Sequence, residues 1–445
     1  MRKRGDLLLG ILLGVATTAV YLIGANRSYG YDAAATFANF IATPSLLDAF
    51  ATHAALPTIP LKSIASNDHV LISLVSHLIY SATGSRSELV YRVLPALAGG
   101  ATVGVMAIVL TRKFGMLAGV CAALYIATVP LFVDNSRDLR GYSLAALCSV
   151  LASIVLSTAG RDATRSRRLR LVAYALLMGL AIAAQLFAIV VLVGHVAWIA
   201  TGRSVPALVE LAPAWFVAAL IGVAANANIQ VMELLQHGYP PTLFYPTFPG
   251  DLVIFLLGAP VALPLGLWLS TAGLGLWALR REPWLWASLA VLAVVVAVLW
   301  LGLQPAYLYP RFFIFLVPGC AYLMAAAIAR WKVLAPVVLL GAAVAGFSQV
   351  TGYTQDPLAL PQAAAFVERI HAEGKTACVI RADEQVLTAY TTEFKVVSSA
   401  QDLNGCDAVV IVSWNVDLAL RDLAAAQFPR RTILPAYYNG VVLER

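Results

Sequence analysis

A succession of apolar runs, each long enough to cross a lipid bilayer, is the feature that most constrains how this chain folds. A helix needs about 20 residues to cross roughly 30 Å of hydrocarbon, where its backbone polar groups must bond internally. We predict eleven spans, at about residues 6–24, 88–111, 116–133, 141–159, 170–184, 186–201, 206–226, 251–277, 284–302, 311–329 and 333–350. Of the 445 residues, 60% are apolar and only 12% are charged, unlike a soluble protein. The sequence therefore predicts a polytopic α-helical membrane protein.

The placement of basic residues predicts the orientation of these spans. With the N-terminus in the cytoplasm, the cytoplasmic segments read "MRKR", "TRK", "RDATRSRRLR", "TGRS", "LRREP" and "ARWK", and each carries Lys or Arg. The C-terminus then lies outside. Topology signalling also accounts for the net charge of +7, so we expect no nucleic-acid partner.

The run "HVLISLVSHLIYSATG", residues 69–84, is short for a span and contains His77 and several hydroxyl groups. Counting it as a span would place later basic segments on the wrong side. We therefore predict an amphipathic or partly embedded helix on the outer leaflet.

The composition divides the chain into two parts. Residues 1–352 form a predicted transmembrane module with a long first outer loop, 25–87, and residues 353–445 form a small extracytoplasmic α/β domain in which helices alternate with β-rich runs. That domain lacks a glycine-rich phosphate fingerprint, so we assign it no nucleotide. Its Cys378 and Cys406 could form a disulfide outside the cytoplasm, although spacing alone does not decide this.

Unusual polar residues collect on the outer side of this topology. They are Asp32, Asn67, Asp68 and His69 in the first outer loop, Arg92 at the second span, Arg137, Asp138, Arg140 and Tyr142 in "VDNSRDLRGY", and Arg311 in "YPRFF". Ionisable groups at membrane depth are costly and tend to mark functional sites.

Three of the arginines begin different spans. Arg92, Arg140 and Arg311 each lie at or within the first turn of a predicted span, where a guanidinium can bind phosphate oxygens in a bidentate fork. The alternative is that they reach to ordinary lipid headgroups or pair with neighbouring acids.

Asp32 follows the first span in "SYGYDAAATFANF". A carboxylate near a phosphate-binding cluster could accept the proton of an acceptor hydroxyl as that oxygen attacks a sugar carbon. The alternative is that Asp32 caps the helix that follows it, because Asp is a favoured N-cap residue.

The order of several short motifs resembles one family of membrane enzymes. "YDAAATF", "SNDHVLISLVSHLIYSATG", "YRVLPALAGG", "DLRGYSL" and "YPRFFIFLVP" follow one another between about residues 6 and 330. In this order the chain resembles the GT-C superfamily of integral-membrane glycosyltransferases, specifically the bacterial relatives of the dolichyl-phosphate-mannose protein mannosyltransferases.

The resemblance implies roles for the outer residues. Asp32 corresponds to the family's catalytic Asp and the three arginines to groups near the lipid phosphate, while Tyr142, Asn67 and His69 would line the site, with Asp68, Arg137 and Asp138 as further substrate-binding residues. Two positions depart from the family pattern. Asp-Glu becomes Asp32-Ala33, and the second Asn of Asn-Asn-His becomes Asp68, which could partly replace the missing charge.

The implied reaction is transfer of a hexosyl or pentosyl group from a polyprenyl phosphate to an acceptor hydroxyl, with inversion, at the outer face of the bacterial cytoplasmic membrane. The acceptor would be a glycan, a lipid or a protein. No cofactor is expected, although a divalent ion held by Asp32 with Asp138 or His69 is an alternative.

Two other functional classes stay open. One is a non-catalytic assembly partner, because the Glu of the family's Asp-Glu pair is lost, and the other is a flippase or transporter of lipid-linked sugars. The latter predicts repeat symmetry between halves, which the sequence lacks.

Overall fold

The chain folds into two compact units. The computed structural model describes residues 2–50, 53–54, 64–65, 69–159, 164–202, 205–226, 247–258, 262–302, 309–352, 357–381, 383–412, 417–436 and 439–445. The first unit comprises Met1–Ile23, Asp68–Ile72 and Arg92–Gly352, and the second comprises Gly24–Asn67, Ser73–Tyr91 and Tyr353–Arg445.

Helices dominate the described residues. In chain order they are α1 (Arg2–Leu22), α2 (Tyr31–Thr36), α3 (Val70–Thr83), α4 (Glu88–Phe114), α5 (Met116–Thr128), α6 (Pro130–Ser136), α7 (Tyr142–Ala159), α8 (Thr164–Ala184), α9 (Ile189–Gly202), α10 (Val205–Ala225), α11 (Phe248–Leu256), α12 (Ala262–Ala278), α13 (Pro283–Ala297), α14 (Val317–Arg330), α15 (Leu334–Gly352), α16 (Leu360–Ala372), α17 (Glu384–Leu387) and α18 (Leu418–Gln427). Short 3₁₀ segments, Leu186–Ala188 and Pro310–Leu316, precede α9 and α14.

Each predicted span coincides with one or two of these helices. Among the described residues, five segments are long and apolar enough to cross a membrane alone: Arg4–Leu22, Glu88–Phe114, Leu208–Ala225, Pro283–Leu301 and Pro310–Arg330. The predicted span 116–133 is α5 followed by α6, bent by 62°. The bend falls at Val129, whose extended backbone is the conformation favoured before a proline. The remaining predicted spans match shorter apolar helices or the later part of α8. The polytopic helical fold is confirmed.

In the first unit, α1 and α4 pack backbone against backbone through two glycine pairs. Gly10 and Gly14 lie in "GILLG" of α1, and Gly100 and Gly104 lie in "GATVG" of α4. A Cβ atom at Gly100 would lie 2.5 Å from the carbonyl oxygen of Gly14, and one at Gly104 would lie 2.6 Å from that of Gly10. Small residues spaced by four allow such close approach between helices in lipid, where dispersion replaces the hydrophobic effect.

The substitution Gly100→Val tests this contact. Its side chain would overlap Thr18 and the α1 backbone, so the helices must separate. We expect a loss of about 1–3 kcal/mol, the usual cost of overpacking, seen as a lower midpoint of thermal unfolding in detergent. Gly266→Val is the matched control, because a Cβ at Gly266 in α12 meets no atom within 4 Å. Equal midpoints for both variants would contradict the close packing.

The second unit combines segments from both ends of the chain. Its first segment contains α2, a π-helical turn at Phe37–Ile41 and a 3₁₀ turn at Leu46–Phe50, and a two-residue strand pair, β1 (His53–Ala54) with β2 (Ile64–Ala65), lies in the same loop. The predicted helix at 69–84 is present as α3, Val70–Thr83.

The C-terminal part of the second unit is a mixed five-stranded sheet. Its strands are β3 (Ala377–Ile380), β4 (Lys395–Val397), β5 (Ala408–Ile411), β6 (Arg430–Leu434) and β7 (Gly440–Glu444), in the order β4-β3-β5-β7-β6. The first three run parallel, whereas β7 is antiparallel to both β5 and β6. Helix α16 contacts this sheet, and α18 contributes Leu420 and Ala424 to the sheet's buried core. The small C-terminal α/β fold is confirmed, and within it Cys378 and Cys406 form a buried disulfide.

Candidate functional site

Asp32 lies in the first turn of α2, within the second unit. The N-cap of this helix is Gly30, whose backbone is extended, so the cap is not Asp32. Asp32 is the second helical residue and is partly buried, while the next two residues, Ala33 and Ala34, are completely buried. A carboxylate in this first turn is stabilised by the positive end of the helix dipole. The short helix therefore leaves Asp32 partly accessible while its neighbours Ala33 and Ala34 pack inside the unit.

Aromatic packing orients the turn that follows α2. Phe37 is completely buried, and its ring lies 5.6 Å from the ring of Tyr29 and 5.1 Å from that of Tyr91, measured between centroids. His77 of α3 adds a hydrogen bond of 3.0 Å between its Nδ1 and the carbonyl oxygen of Ile41. Because these contacts flank α2 on its C-terminal side, they restrict how Asp32 can move.

In the first unit, His69 and Tyr142 are in direct contact. His69 is completely buried, and its Nδ1 lies 2.9 Å from the carbonyl oxygen of Ala184 at the end of α8. A carbonyl oxygen can only accept, so Nδ1 carries a proton. The ring centroids of His69 and Tyr142 are 4.5 Å apart with an interplanar angle of 76°. Two residues predicted from separate motifs thus meet edge to face, the favoured geometry of aromatic pairs.

The segment that carries Arg311 joins the same group. The ring of Phe312 stacks on Tyr142 at 6.5 Å and on Phe187 at 5.0 Å. The guanidinium carbon of Arg311 lies 4.8 Å from the ring centroid of Tyr309. We call His69, Tyr142, Phe187, Tyr309 and Phe312 the aromatic cluster. It brings residues from three distant predicted motifs together within one unit.

The loop before α7 closes tightly against the end of α8. A Cβ at Gly141 would overlap the carbonyl oxygen of Ala184, the oxygen that binds His69, so only glycine fits there. Arg140 precedes Gly141 and is partly buried. The motif "DLRGY" therefore holds Arg140 and Tyr142 on either side of a glycine required by this contact.

Arg92 is almost completely buried in α4, with 1% of its surface exposed. Ser143, next to Tyr142, donates a hydrogen bond of 2.9 Å from its Oγ to the carbonyl oxygen of Pro95. This bond fastens the start of α7 to α4 less than one helical turn after Arg92.

Arg137 and Asp138 make contacts of a different kind. Arg137 is buried, and its Nη2 donates to the carbonyl oxygen of Val20 at 3.0 Å, while its guanidinium lies 5.7 Å from the ring of Tyr21. These contacts are at the C-terminal end of α1, where a cation is favoured by the helix dipole. Asp138 accepts a hydrogen bond from the backbone of Leu139. These contacts fasten the loop, and a substrate-binding role for either residue stays a prediction.

Two predicted site residues, Asn67 and Asp68, lie outside the described residues. Across the part of the chain that the structure describes, no three His, Cys, Asp or Glu side chains form a group that could hold a metal ion.

Sequence reasoning missed several residues around the site. Gln185 is 1% exposed, and its side-chain amide has no hydrogen-bond partner in the described structure. The sequence indicated Gln185 only as a polar residue that interrupts the apolar stretch 170–201. Phe187 and Phe312 gave no signal, because phenylalanine is ordinary in a membrane-spanning segment.

Comparison with known proteins supports the fold. No protein-family model and no curated protein sequence matches the chain. Among solved structures, ArnT from Cupriavidus metallidurans in the apo state is similar over 100% of this chain and 98% of that chain, with a TM-score of 0.62 and 14% identity. ArnT from the same organism bound to undecaprenyl phosphate is similar over 97% of both chains, with a TM-score of 0.60 and 16% identity. The chain therefore has the fold of these ArnT structures. At this identity the likeness shows the fold and carries no residue roles.

Proposed function

We propose that the protein is a glycosyltransferase that moves a sugar from a polyprenyl phosphate to an acceptor hydroxyl. One observation carries the proposal: the aromatic cluster joins three predicted site motifs, beside Arg140 and Arg311, on a fold that ArnT uses while bound to undecaprenyl phosphate. Aromatic faces suit the apolar side of a sugar ring or isoprene unit, and arginines suit a phosphate.

In the proposed reaction, an acceptor oxygen attacks the anomeric carbon from the side opposite the phosphate. The bond between that carbon and the phosphate oxygen breaks, and the polyprenyl phosphate leaves with the electron pair. Asp32 takes the acceptor proton as general base, and Arg92, Arg140 and Arg311 stabilise the charge that develops on the phosphate. A single displacement of this kind inverts the anomeric configuration.

We place the reaction at the outer face of a bacterial inner membrane. The basic residues of the predicted cytoplasmic segments support a cytoplasmic N-terminus. The disulfide between Cys378 and Cys406 supports an extracytoplasmic C-terminal domain, because disulfides persist in oxidising compartments. The donor carries a hexose or a pentose, and the acceptor is a glycan, a lipid or a protein.

A non-catalytic assembly partner is the second candidate. Ala33, which stands where the family pattern has Glu, is completely buried, so a carboxylate at this position would not be exposed. The two candidates differ in whether transfer depends on Asp32.

Donor recognition is tested by thermal unfolding of the full chain in detergent. We expect undecaprenyl phosphate to raise the unfolding midpoint, because a ligand that binds only the folded protein stabilises it by mass action. Undecaprenol, which has the same chain without the phosphate, is the control and should have a smaller effect. Equal shifts with both lipids would contradict phosphate recognition.

A further inference from the structure

The C-terminal domain is hydrogen-bonded to the loop that carries Asp32. Within the second unit, the backbone N–H of Tyr29 donates to the Tyr390 hydroxyl at 2.9 Å, and that hydroxyl donates to Oε1 of Glu88 at 2.6 Å. Ser28 adds a bond of 2.8 Å from its Oγ to the carbonyl oxygen of Leu358. The Tyr390 hydroxyl therefore joins three separate segments of the chain, at a point three residues before Asp32.

The protonation state of Tyr390 suits this role. Burial raises the pKa of the Tyr390 hydroxyl well above its ordinary value, and the nearby Glu88 carboxylate raises it further. The hydroxyl therefore stays protonated, so it donates to the Glu88 carboxylate and accepts from the backbone N–H of Tyr29. Hydrogen bonds from a hydroxyl to a carboxylate are short and stronger than neutral ones, in agreement with the short distance to Glu88.

Packing around this hydrogen bond reaches α2 itself. Helix α17 of the C-terminal domain lies against α2, and Val386 and Leu387 of α17 are completely buried, as are Ala33 and Ala34 of α2. Arg86 donates a further bond of 3.3 Å to the carbonyl oxygen of Ala389. The residues that immediately precede Tyr390 are therefore anchored, which restricts the position of its hydroxyl.

We propose that Tyr390 is a positioning residue for Asp32, so that the C-terminal domain helps to orient the carboxylate that acts as the base. The inference rests on the proposed function, in which Asp32 is the base. Displacing a reacting group by about 1 Å can cost on the order of 100-fold in rate, so one hydrogen bond at the base of α2 is enough to matter.

Tyr390→Phe in the full chain is the test, because it keeps the ring and removes the hydroxyl. We expect kcat for transfer to fall about 10- to 100-fold with the acceptor KM unchanged. The amide hydrogen of Tyr29 should exchange with solvent about tenfold faster, since it loses its acceptor. Tyr322→Phe is the matched control, because the Tyr322 ring packs on Phe114 and its hydroxyl is not part of this network. If Tyr390→Phe does not fold, Glu88→Ala, which removes the other partner of the hydroxyl, is measured in its place.

The outcomes separate the inference from the proposed function. Unchanged kcat, or a raised acceptor KM with unchanged kcat, would overturn the positioning role even if Asp32→Asn abolishes transfer. Unchanged exchange at Tyr29 would overturn it as well. If Asp32→Asn leaves transfer intact, the proposed function fails instead, and the positioning role falls with it whatever the exchange data show.

Discussion

Asp32→Asn is expected to lower kcat for sugar transfer by about 10²- to 10⁴-fold while the protein stays folded. The amide has nearly the shape of the carboxylate but cannot accept the acceptor's proton. Because Asp32 is only partly buried and is not the cap of α2, the change should leave the unfolding midpoint close to that of the wild type. Transfer is measured as release of undecaprenyl phosphate from a panel of lipid-linked hexoses and pentoses.

Asp48→Asn is the control for Asp32→Asn. Asp48 lies in the same outer loop, in the 3₁₀ turn Leu46–Phe50, and is also partly buried. Replacing Asp48 with Asn should not change kcat for sugar transfer. A normal rate for Asp32→Asn would remove the general base from the mechanism, and the non-catalytic candidate would then lead.

Arg311→Ala is the second change with a large expected effect. We expect kcat/KM for the lipid-linked donor to fall about 10²- to 10³-fold, as when a group that stabilises transition-state charge is removed. Arg311→Lys should recover only part of the loss, because an ammonium group lacks the bidentate fork.

Arg280 provides a matched control for Arg311. Its guanidinium also stacks on an aromatic ring, 4.2 Å from the centroid of Trp277, but it lies in a predicted cytoplasmic segment. Arg280→Ala should therefore leave kcat/KM unchanged. Equal losses for the two variants would mean that stacked arginines matter for folding and not for the donor.

The sequence predicted the positions of the apolar helices well, because length and hydropathy decide what a helix can do in lipid. Breaks inside the spans were harder to predict. Span 116–133 bends at Val129, and the proline that follows it is a local signal, whereas the glycine contact between α1 and α4 depends on which helices become neighbours. The C-terminal domain was predicted to alternate helices with β-rich runs, but its last two strands, β6 and β7, pair directly with each other in antiparallel orientation.

Some residues of the candidate site could also be predicted from the sequence. The motif order singled out His69 and Tyr142, which are in contact in the structure, and Arg311, which adjoins the same cluster. Their roles in binding stay a prediction. The pairing of Tyr390 with Glu88 was not predictable, because it joins residues 302 positions apart and neither lies in a recognisable motif. Such pairs exist only once the tertiary fold has formed.

The composition of the second unit has a consequence for how the protein is made. Its segments Gly24–Asn67 and Ser73–Tyr91 are synthesised early, whereas Tyr353–Arg445 is synthesised last. At roughly 5–20 residues per second, the ribosome needs on the order of tens of seconds to produce the residues between them. During that time the two early segments lack the strands and helices that Tyr353–Arg445 supplies to the unit. A nascent chain stalled before residue 353 should therefore leave the segment around Asp32 open to proteases, and the second unit would be complete only after Tyr353–Arg445 has been synthesised.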